Sequence, residues 1–473
     1  MKRTILVIAI AAALSGCVVS RVDPQKPELP LPTTLPAVEA TTVQLPDPWW
    51  TIFGDAVLND LIGEALEHNT DITVAASRVA QARSLLRIAN ADRLPTLDLL
   101  GDGSRSKSST DVLQIPGIDP IQTTYTVRGA VGFELDLWGR YQRASESARA
   151  LLLNNEYGRE ATKLALTGDV ARGYFSLIAA AEQLARGRDT LATRDESLRL
   201  EKLRLEAGES DEFTFKRAEA DMQATRRSVY ELELEVTRRV TALGVLLGRS
   251  PQDLVERAIL TGEVALPAAV MLPSALPSSV IERRPDVGAA EAALLAAAAD
   301  IGVARADMFP RISLTGTFGA ASRELGDLFT SPTEAWSAAA GLVQPIFQGG
   351  RLRANVARNE AIREQRKAEY ARTVQEAFRE VLDGLNGQRL IDGVRASNDA
   401  EVAALTRATE LAELRYNQGD IAYLELLDVR RGLFQSQIDL VAAQRDALLN
   451  TVDLALAVGG GMGERAEPLS ANR

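Results

Sequence analysis

The sequence predicts a mostly α-helical, internally duplicated chain that also carries membrane β-strands. Three observations predict it. A glycine-centred turn occurs twice: Leu203-Arg204-Leu205-Glu206-Ala207-Gly208-Glu209 matches Leu414-Arg415-Tyr416-Asn417-Gln418-Gly419-Asp420 at Leu, Arg, Gly and the following acid, with an offset of 211 (419 − 208). A stretch of 69 residues runs from Gly139 to Gly208 and again from Gly350 to Gly419. As one helix it would span roughly 100 Å at ~1.5 Å per residue, too long for a compact domain and suited to a coiled coil or a tube. Two segments, Thr123 to Leu137 and Arg311 to Ala320, alternate apolar and polar residues with period 2, the signature of strands with unlike faces.

The whole chain sets bounds. Its 473 residues would allow about three ordinary domains at ~150 residues each, but the repeats argue for one elongated, duplicated body. Net charge is −11 and the pI about 5.0, which disfavours nucleic acid, because a basic surface for phosphates is missing. Aromatics are only 5%, common in long Ala- and Leu-rich helices. No apolar run reaches the roughly 18 residues of a transmembrane helix. The best later candidate, Ala289 to Ala299, is short and contains Glu291.

The N-terminus reads as a targeting segment. Lys2 and Arg3 supply charge, and Ile5 to Leu14 the apolar region. Leu14-Ser15-Gly16-Cys17 resembles the bacterial lipoprotein box, so residues 1–16 are a signal peptide and Cys17 becomes the lipidated first residue. An ordinary signal peptide that happens to hold a cysteine is the alternative. The small residues at both positions before Cys17 favour lipidation. Cys17 is the only cysteine, which rules out an intrachain disulfide. Val18 stands where aspartate often marks inner-membrane retention, and that rule implies the outer membrane. Residues 17–47 hold the anchor and a Pro-rich tether.

Order is expected from Pro48-Trp49-Trp50 onward. The first repeat covers 48–248. A short amphipathic helix runs to about Glu67, and Asn69 caps the next one. That helix carries a seam of Ile72, Ala75, Val79, Ala82, Leu86 and Ala89 at spacings of 3 and 4, and Pro95 ends it. The second repeat, 285–458, returns the seam at offset 215 as Val287, Ala290, Leu294, Ala297, Ile301 and Ala304, with Pro285 at the first helical position. The offset falls from 215 to 211 between Pro310 and Gly350, so four residues are lost there. An outward loop is the natural place for such a change. Residues 249–284 read as a crossover and 459–473 as a mobile tail. After the second tip, Leu424, Leu427, Phe434, Ile438, Val441, Leu448, Val452 and Ala455 form one stripe, interrupted by Arg431 and Arg445. Leu426, Leu433, Leu440, Ala447 and Leu454 form a second, which implies neighbours on two sides.

In Thr123 to Leu137 the residues Tyr125, Val127, Gly129, Val131, Phe133, Leu135 and Leu137 share one face, and Arg311 to Ala320 repeats the pattern. Thr96 to Gly103 and Trp336 to Phe347 are weaker cases, with Ser104 to Gln122 and Ala321 to Glu334 as outward loops. A half-buried soluble sheet alternates identically; the lipoprotein start favours a barrel in lipid. Four strands per chain cannot close, and open edges are not tolerated in lipid. Two copies would give eight strands and a filled barrel, three would give twelve and a pore; the pattern does not choose between them.

These residues carry a resemblance. Pro48-Trp49-Trp50 with Phe53-Gly54, Glu134-Leu-Asp-Leu-Trp-Gly-Arg140, Arg283-Arg-Pro-Asp-Val287, Asp300-Ile-Gly-Val-Ala-Arg-Ala306 with Phe309-Pro310, and Gln344-Pro-Ile-Phe347 with Gly349-Gly350-Arg351 resemble the TolC-type outer-membrane factor family, in its NodT/OprM-like lipoprotein branch. The match covers essentially residues 1–458. It implies a homotrimer whose twelve-stranded barrel in the outer membrane continues into a twelve-helix periplasmic tunnel. Such a trimer is the exit duct of a tripartite efflux system, with a periplasmic adaptor and an inner-membrane transporter of the RND type. The transporter supplies the energy, so no cofactor is implied. The turns at Gly208 and Gly419, with Arg204 and Arg415, would meet the adaptor; glycines that merely end helices are compatible with that role. Glu425 and Asp428 would form an acidic ring at the tunnel mouth, against the plainer reading of a solvated helix face. Their first-repeat equivalents are Thr214 and Arg217. Tyr416 resembles a residue that latches the closed mouth, but Ile421 stands where that latch often has a basic residue.

Enzymatic readings fail. His68 is the sole histidine, and one His with one Cys builds no usual zinc site. Neither a phosphate-binding glycine loop nor a nucleophile signature is present. Besides drug or metabolite efflux, two other functions fit: the outer component of a type I secretion or metal-cation export system, and a non-pore periplasmic coiled-coil adaptor. The alternating strands argue against the last.

Overall fold

Two helices of nearly seventy residues, each stopped by a left-handed glycine, set the plan of the chain. The computed structural model describes residues 22–27, 46–109, 120–250, 265–268, 270, 281, 283–330 and 332–460. The expected signal peptide, Cys17, most of the tether and crossover, and the tail past residue 460 lie outside them. The described elements are α1 (Ala56–His68), α2 (Thr70–Ala91), β1 (Thr96–Lys107), β2 (Ile121–Leu135), α3 (Arg140–Glu206), α4 (Glu212–Leu246), α5 (Pro285–Ala306), β3 (Arg311–Ser322), β4 (Glu334–Val343), α6 (Arg351–Gln418) and α7 (Tyr423–Ala457). They fall into two compact units, one of residues 1–28, 78–155 and 289–370 and the other of 29–77, 156–288 and 371–473.

The first unit holds the sheet. Its order is β1-β2-β3-β4, all antiparallel, so β1 and β4 each keep one free edge. The register aligns Leu97, Val131 and Gly316 on one face, then Leu99, Gly129, Phe318 and Trp336. That face is bare: Leu97 and Trp336 are both 77% exposed. The opposite face carries Thr126, Arg128, Ser313 and Thr317, and Thr317 Oγ1 meets Ser337 Oγ at 2.7 Å. Tyr125 lays its ring against Gly103, where a Cβ would stand 3.3 Å from Cδ1.

The strand limits correct three expectations. β1 runs four residues past Gly103 to Lys107, because ladder bonding to β2 does not depend on side-chain polarity. The outward loop is shorter to match. β4 starts at Glu334 and stops at Val343 rather than Phe347; Pro345 has no N–H to donate, and the Gln344 amide turns to the carbonyls of Met308 and Pro345. β2 stops at Leu135, where Asp136 caps α3 by accepting from the N–H groups of Tyr141 and Gln142. Trp138 fixes this corner. It stacks on Phe309 at 5.0 Å and donates Nε1–H to Pro310 O at 2.5 Å.

The α2 seam is buried at Ala75, Val79 and Ala82 and half-buried at Ile72, Leu86 and Ala89, while Val74, Leu85 and Ile88 off the seam are exposed. Its counterpart α5 is buried more widely, at Ala292, Ala296 and Ala298 as well as along the seam. An 18-residue window of α5 reaches mean hydropathy 1.6 with few charges, so this helix, unlike the expectation, is long and apolar enough to cross a membrane; 56% of the window is buried in protein. Burial explains its composition. Gly302 permits close contact, since a Cβ there would lie 3.0 Å from the Arg143 side chain.

The second unit contains the main core. Trp49, Phe53, Leu58, Ile62, Phe175, Leu177, Leu243, Leu247, Leu448 and Val452 pack together. Trp49 donates Nε1–H to Thr167 at 3.1 Å, and Phe53 meets Phe175 edge-on at 4.8 Å. Asn69 caps as expected, accepting from Asp71 N at 2.7 Å while its amide donates to Leu246 O at 2.8 Å. Both stripes of α7 contribute buried residues, Leu427, Val441 and Leu448 from one and Leu426, Ala447 and Leu454 from the other. Leu424 does not follow: it is 53% exposed in the first turn beside the tip.

Candidate gate at the helical hairpin tips

Hairpin 1 (α3 and α4) and hairpin 2 (α6 and α7) end in the same turn. Gly208 has φ +75° and Gly419 φ +82°. Glu209 N donates to Arg204 O at 2.8 Å, and Asp420 N to Arg415 O at 2.9 Å. Both satisfy late helix carbonyls in the way a left-handed glycine allows. The caps that follow differ. Asp211 accepts from Thr214 N at 2.7 Å to start α4, whereas Ala422 offers α7 no side-chain cap.

Four side-chain hydrogen bonds join the hairpins near the tips, all within the second unit. Tyr416 donates its hydroxyl to Glu201 at 2.8 Å. Glu201 is buried, and also accepts from Arg204 at 3.2 Å and Ser210 at 3.3 Å. Arg204 stands 5.1 Å above the Tyr416 ring and reaches Asn417 at 3.4 Å. Arg431 donates Nε–H to Asp221 at 2.8 Å. Arg194 Nε lies 3.0 Å from the other oxygen of Asp221, as a charge contact rather than an aligned hydrogen bond. Arg430 forks onto Glu413 at 2.8 and 3.0 Å and donates to Ser197 at 3.0 Å. Around these, Ala218, Tyr423 and Leu427 form a small apolar cluster, and Tyr416 meets Tyr423 edge-on at 5.6 Å.

Burial lowers the Arg194 pKa, with Asp221 opposing and Arg430 and Arg431 adding to the fall. Burial raises Tyr416, and its hydrogen bond to Glu201 raises it further, to about 12. The neutral phenol is therefore the form the Tyr416–Glu201 contact favours. Its contribution is complete below the ordinary tyrosine value of about 10 and is lost as pH climbs through about 12. Trimers in lipid bilayers are expected to open more often between pH 10 and 12, with Tyr416→Phe flattening that rise and weakening the contact by about 1–2 kcal/mol at neutral pH. Single-channel recording against pH checks both.

The sequence-derived residues divide. Tyr416 and Arg204 come together, on an acid that sequence reasoning missed. Arg204 places a cation over the Tyr416 ring, and Ile421 is not basic. Arg415 is exposed, as are Glu425 and Asp428, which sit one turn apart on α7. Glu201, Asp221, Arg194 and Arg430 were not foreseen. One signal was available: Arg431 interrupts an apolar stripe, and a charge at such a position calls for a buried partner.

Comparison with known proteins adds the following. The family model described as outer membrane efflux protein matches residues 61–249 and 276–460. The chain is 38% identical over 411 residues to the solvent efflux pump outer membrane protein SrpC of Pseudomonas putida, covering 86% of each. It is 32% identical over 462 residues to the cation efflux system protein CusC of Escherichia coli O6:H1, covering 97% of this chain and 98% of that one. Its fold is similar to the crystal structure of the Campylobacter jejuni CmeC outer membrane channel, with a TM-score of 0.86 at 23% identity over 92% of this chain and 94% of the other.

Proposed function

The chain belongs to the outer membrane efflux protein family, and on that premise we propose that three copies form the exit duct of a tripartite pump, passing small molecules from an inner-membrane transporter and a periplasmic adaptor to the outside. The observation that carries this is the sheet. Four strands expose a continuous apolar face and leave both edges unpaired, which lipid admits only if other copies close the barrel. Three copies give twelve strands, wide enough for a pore. The role is transport, and the duct does no catalysis of its own. Cys17 carries the lipid that anchors the tether, residues 48–248 and 285–458 are the two repeats, and the tips at Gly208 and Gly419 meet the adaptor. Arg415 is free for that contact, while Arg204 is held by Glu201.

The relatives support two cargo classes. SrpC is named for solvent efflux and CusC for cation efflux; organic compounds are the first reading here and metal cations the second. Deleting the chain's gene is expected to lower resistance to solvents or lipophilic antibiotics. Sensitivity confined to copper or silver ions would instead favour cation export, and no change in either would count against the duct. Photo-crosslinking from Ala207 and Gln418 in the native cell is expected to capture a periplasmic adaptor.

Glu425 and Asp428, repeated by a threefold axis, would place six carboxylates at the mouth and prefer cations. Glu425→Gln with Asp428→Asn is expected to lower the cation-over-anion permeability ratio of purified trimers several-fold. Reversal potentials in a salt gradient measure it, and an unchanged ratio would remove these residues from the gate.

A further inference from the structure

Both hairpin-to-hairpin acids share one design. Asp221 is 4% exposed and lies between two guanidinium groups, Arg194 on its own hairpin and Arg431 on the other. Arg194 is as buried as Asp221, whereas the Arg431 side chain is 54% exposed. Glu201 likewise keeps Arg204 and Ser210 on hairpin 1 and receives Tyr416 from hairpin 2. A buried carboxylate stripped of its only cation would strongly resist separation of the hairpins. Neither acid would be stripped if hairpin 2 moved away. Arg431 would pass into water, and Asp221 would remain paired with Arg194.

Resting on the reading of these tips as a tunnel mouth, we propose that Arg194 is a positioning residue that makes the mouth separable, by holding Asp221 when Arg431 leaves. The two arginines on one carboxylate then act in opposite directions. Loss of Arg431 removes a contact of the closed state only. Loss of Arg194 leaves Arg431 as the sole cation for a buried charge, so the closed contact tightens. Arg430 and Arg431 also crowd Arg194 with like charge, which departure of hairpin 2 relieves.

The test uses full-length trimers in planar bilayers of phosphatidylethanolamine and phosphatidylglycerol, scored by the frequency of opening events. Arg431→Leu is expected to raise that frequency by about tenfold, and Arg194→Leu to lower it by a comparable factor. Arg194→Lys, which keeps a cation beside Asp221, should stay near the wild type. A purely structural Arg194 would loosen the tip on removal, so a rise or no change with Arg194→Leu overturns the proposal. Should Arg194→Leu not assemble, Arg194→Gln takes its place, removing the cation while keeping a polar side chain beside Asp221. It should lower the frequency in the same direction; a rise or no change overturns the proposal. Wild-type trimers that give no channels overturn the duct reading itself, and this proposal falls with it; channels with the wrong order of frequencies overturn the role of Arg194 alone.

Discussion

Arg284→Ala is expected to lower the apparent melting temperature by roughly 3–5 °C, from a loss of about 3 kcal/mol. Arg284 is the residue of the Arg283-Arg-Pro-Asp-Val287 segment that the fold uses most. Its guanidinium forks onto Asp286 at 2.8 and 3.1 Å, reaches Glu380 at 2.7 Å on α6, and donates to Ala457 O at 3.1 Å at the end of α7. Burial opposes its charge, yet the bonds and charges of Asp286 and Glu380 outweigh burial and hold its pKa above the usual value. Its side chain is 10% exposed, while those of Asp286 and Glu380 are 40% and 42% exposed. The acids can therefore rehydrate when Arg284 is removed, which places the loss at the low end of the range for a broken buried pair. Arg284→Lys should recover only part of it, because an ammonium cannot fork. Thermal unfolding followed by circular dichroism checks the order wild type, Lys, Ala.

Gly319→Val should prevent a stable barrel. A Cβ on Gly319 would stand 2.1 Å from Val127 O and 2.5 Å from Arg128 Cα. These are backbone atoms of the adjacent strand, so no rotamer change relieves the clash. β2 and β3 would have to part, at a cost of at least about 3 kcal/mol. Gly316, on the same strand, has only Ser337 O near its Cβ position, at 3.9 Å. Gly316→Ala should therefore fold. Heat-modifiable migration of unboiled samples on SDS gels reads the outcome: the band of an intact barrel should vanish for Gly319→Val and persist for Gly316→Ala.

Local pattern carried most of the fold. The glycine offsets gave the two long helices within two residues of their ends, since a left-handed stop depends on one residue and its neighbours. The seams of α2 and α5 could be read because period 3.6 is a property of the segment itself. Strand limits were less legible. β1 continues through Arg105 and Lys107 because β2 stands beside it, a fact that no window of β1 contains. The candidate gate was legible in part for the same reason. Tyr416, Glu425 and Asp428 belong to one short stretch, but the partners that tie Glu201 and Asp221 to the other hairpin lie more than 200 positions away. An acid on a charged helix has no mark of burial in its own surroundings. Only Arg431, out of place on an apolar stripe, pointed across the gap.

The order of the sheet bears on how the chain reaches its native state. Each hairpin closes locally, with Lys107 opposite Ile121 and Ala320 opposite Glu334. The central ladder instead joins Leu135 to Ile312, 177 positions apart (312 − 135). From an unfolded chain, that closure costs about 2 kcal/mol more entropy than either hairpin. The hairpins are therefore expected to form early and the β2–β3 ladder late. Until the chain has been extended through β3, β2 has only β1 beside it. Until the β2–β3 ladder closes, the two β-hairpins leave four bare strand edges, two more than the finished subunit has.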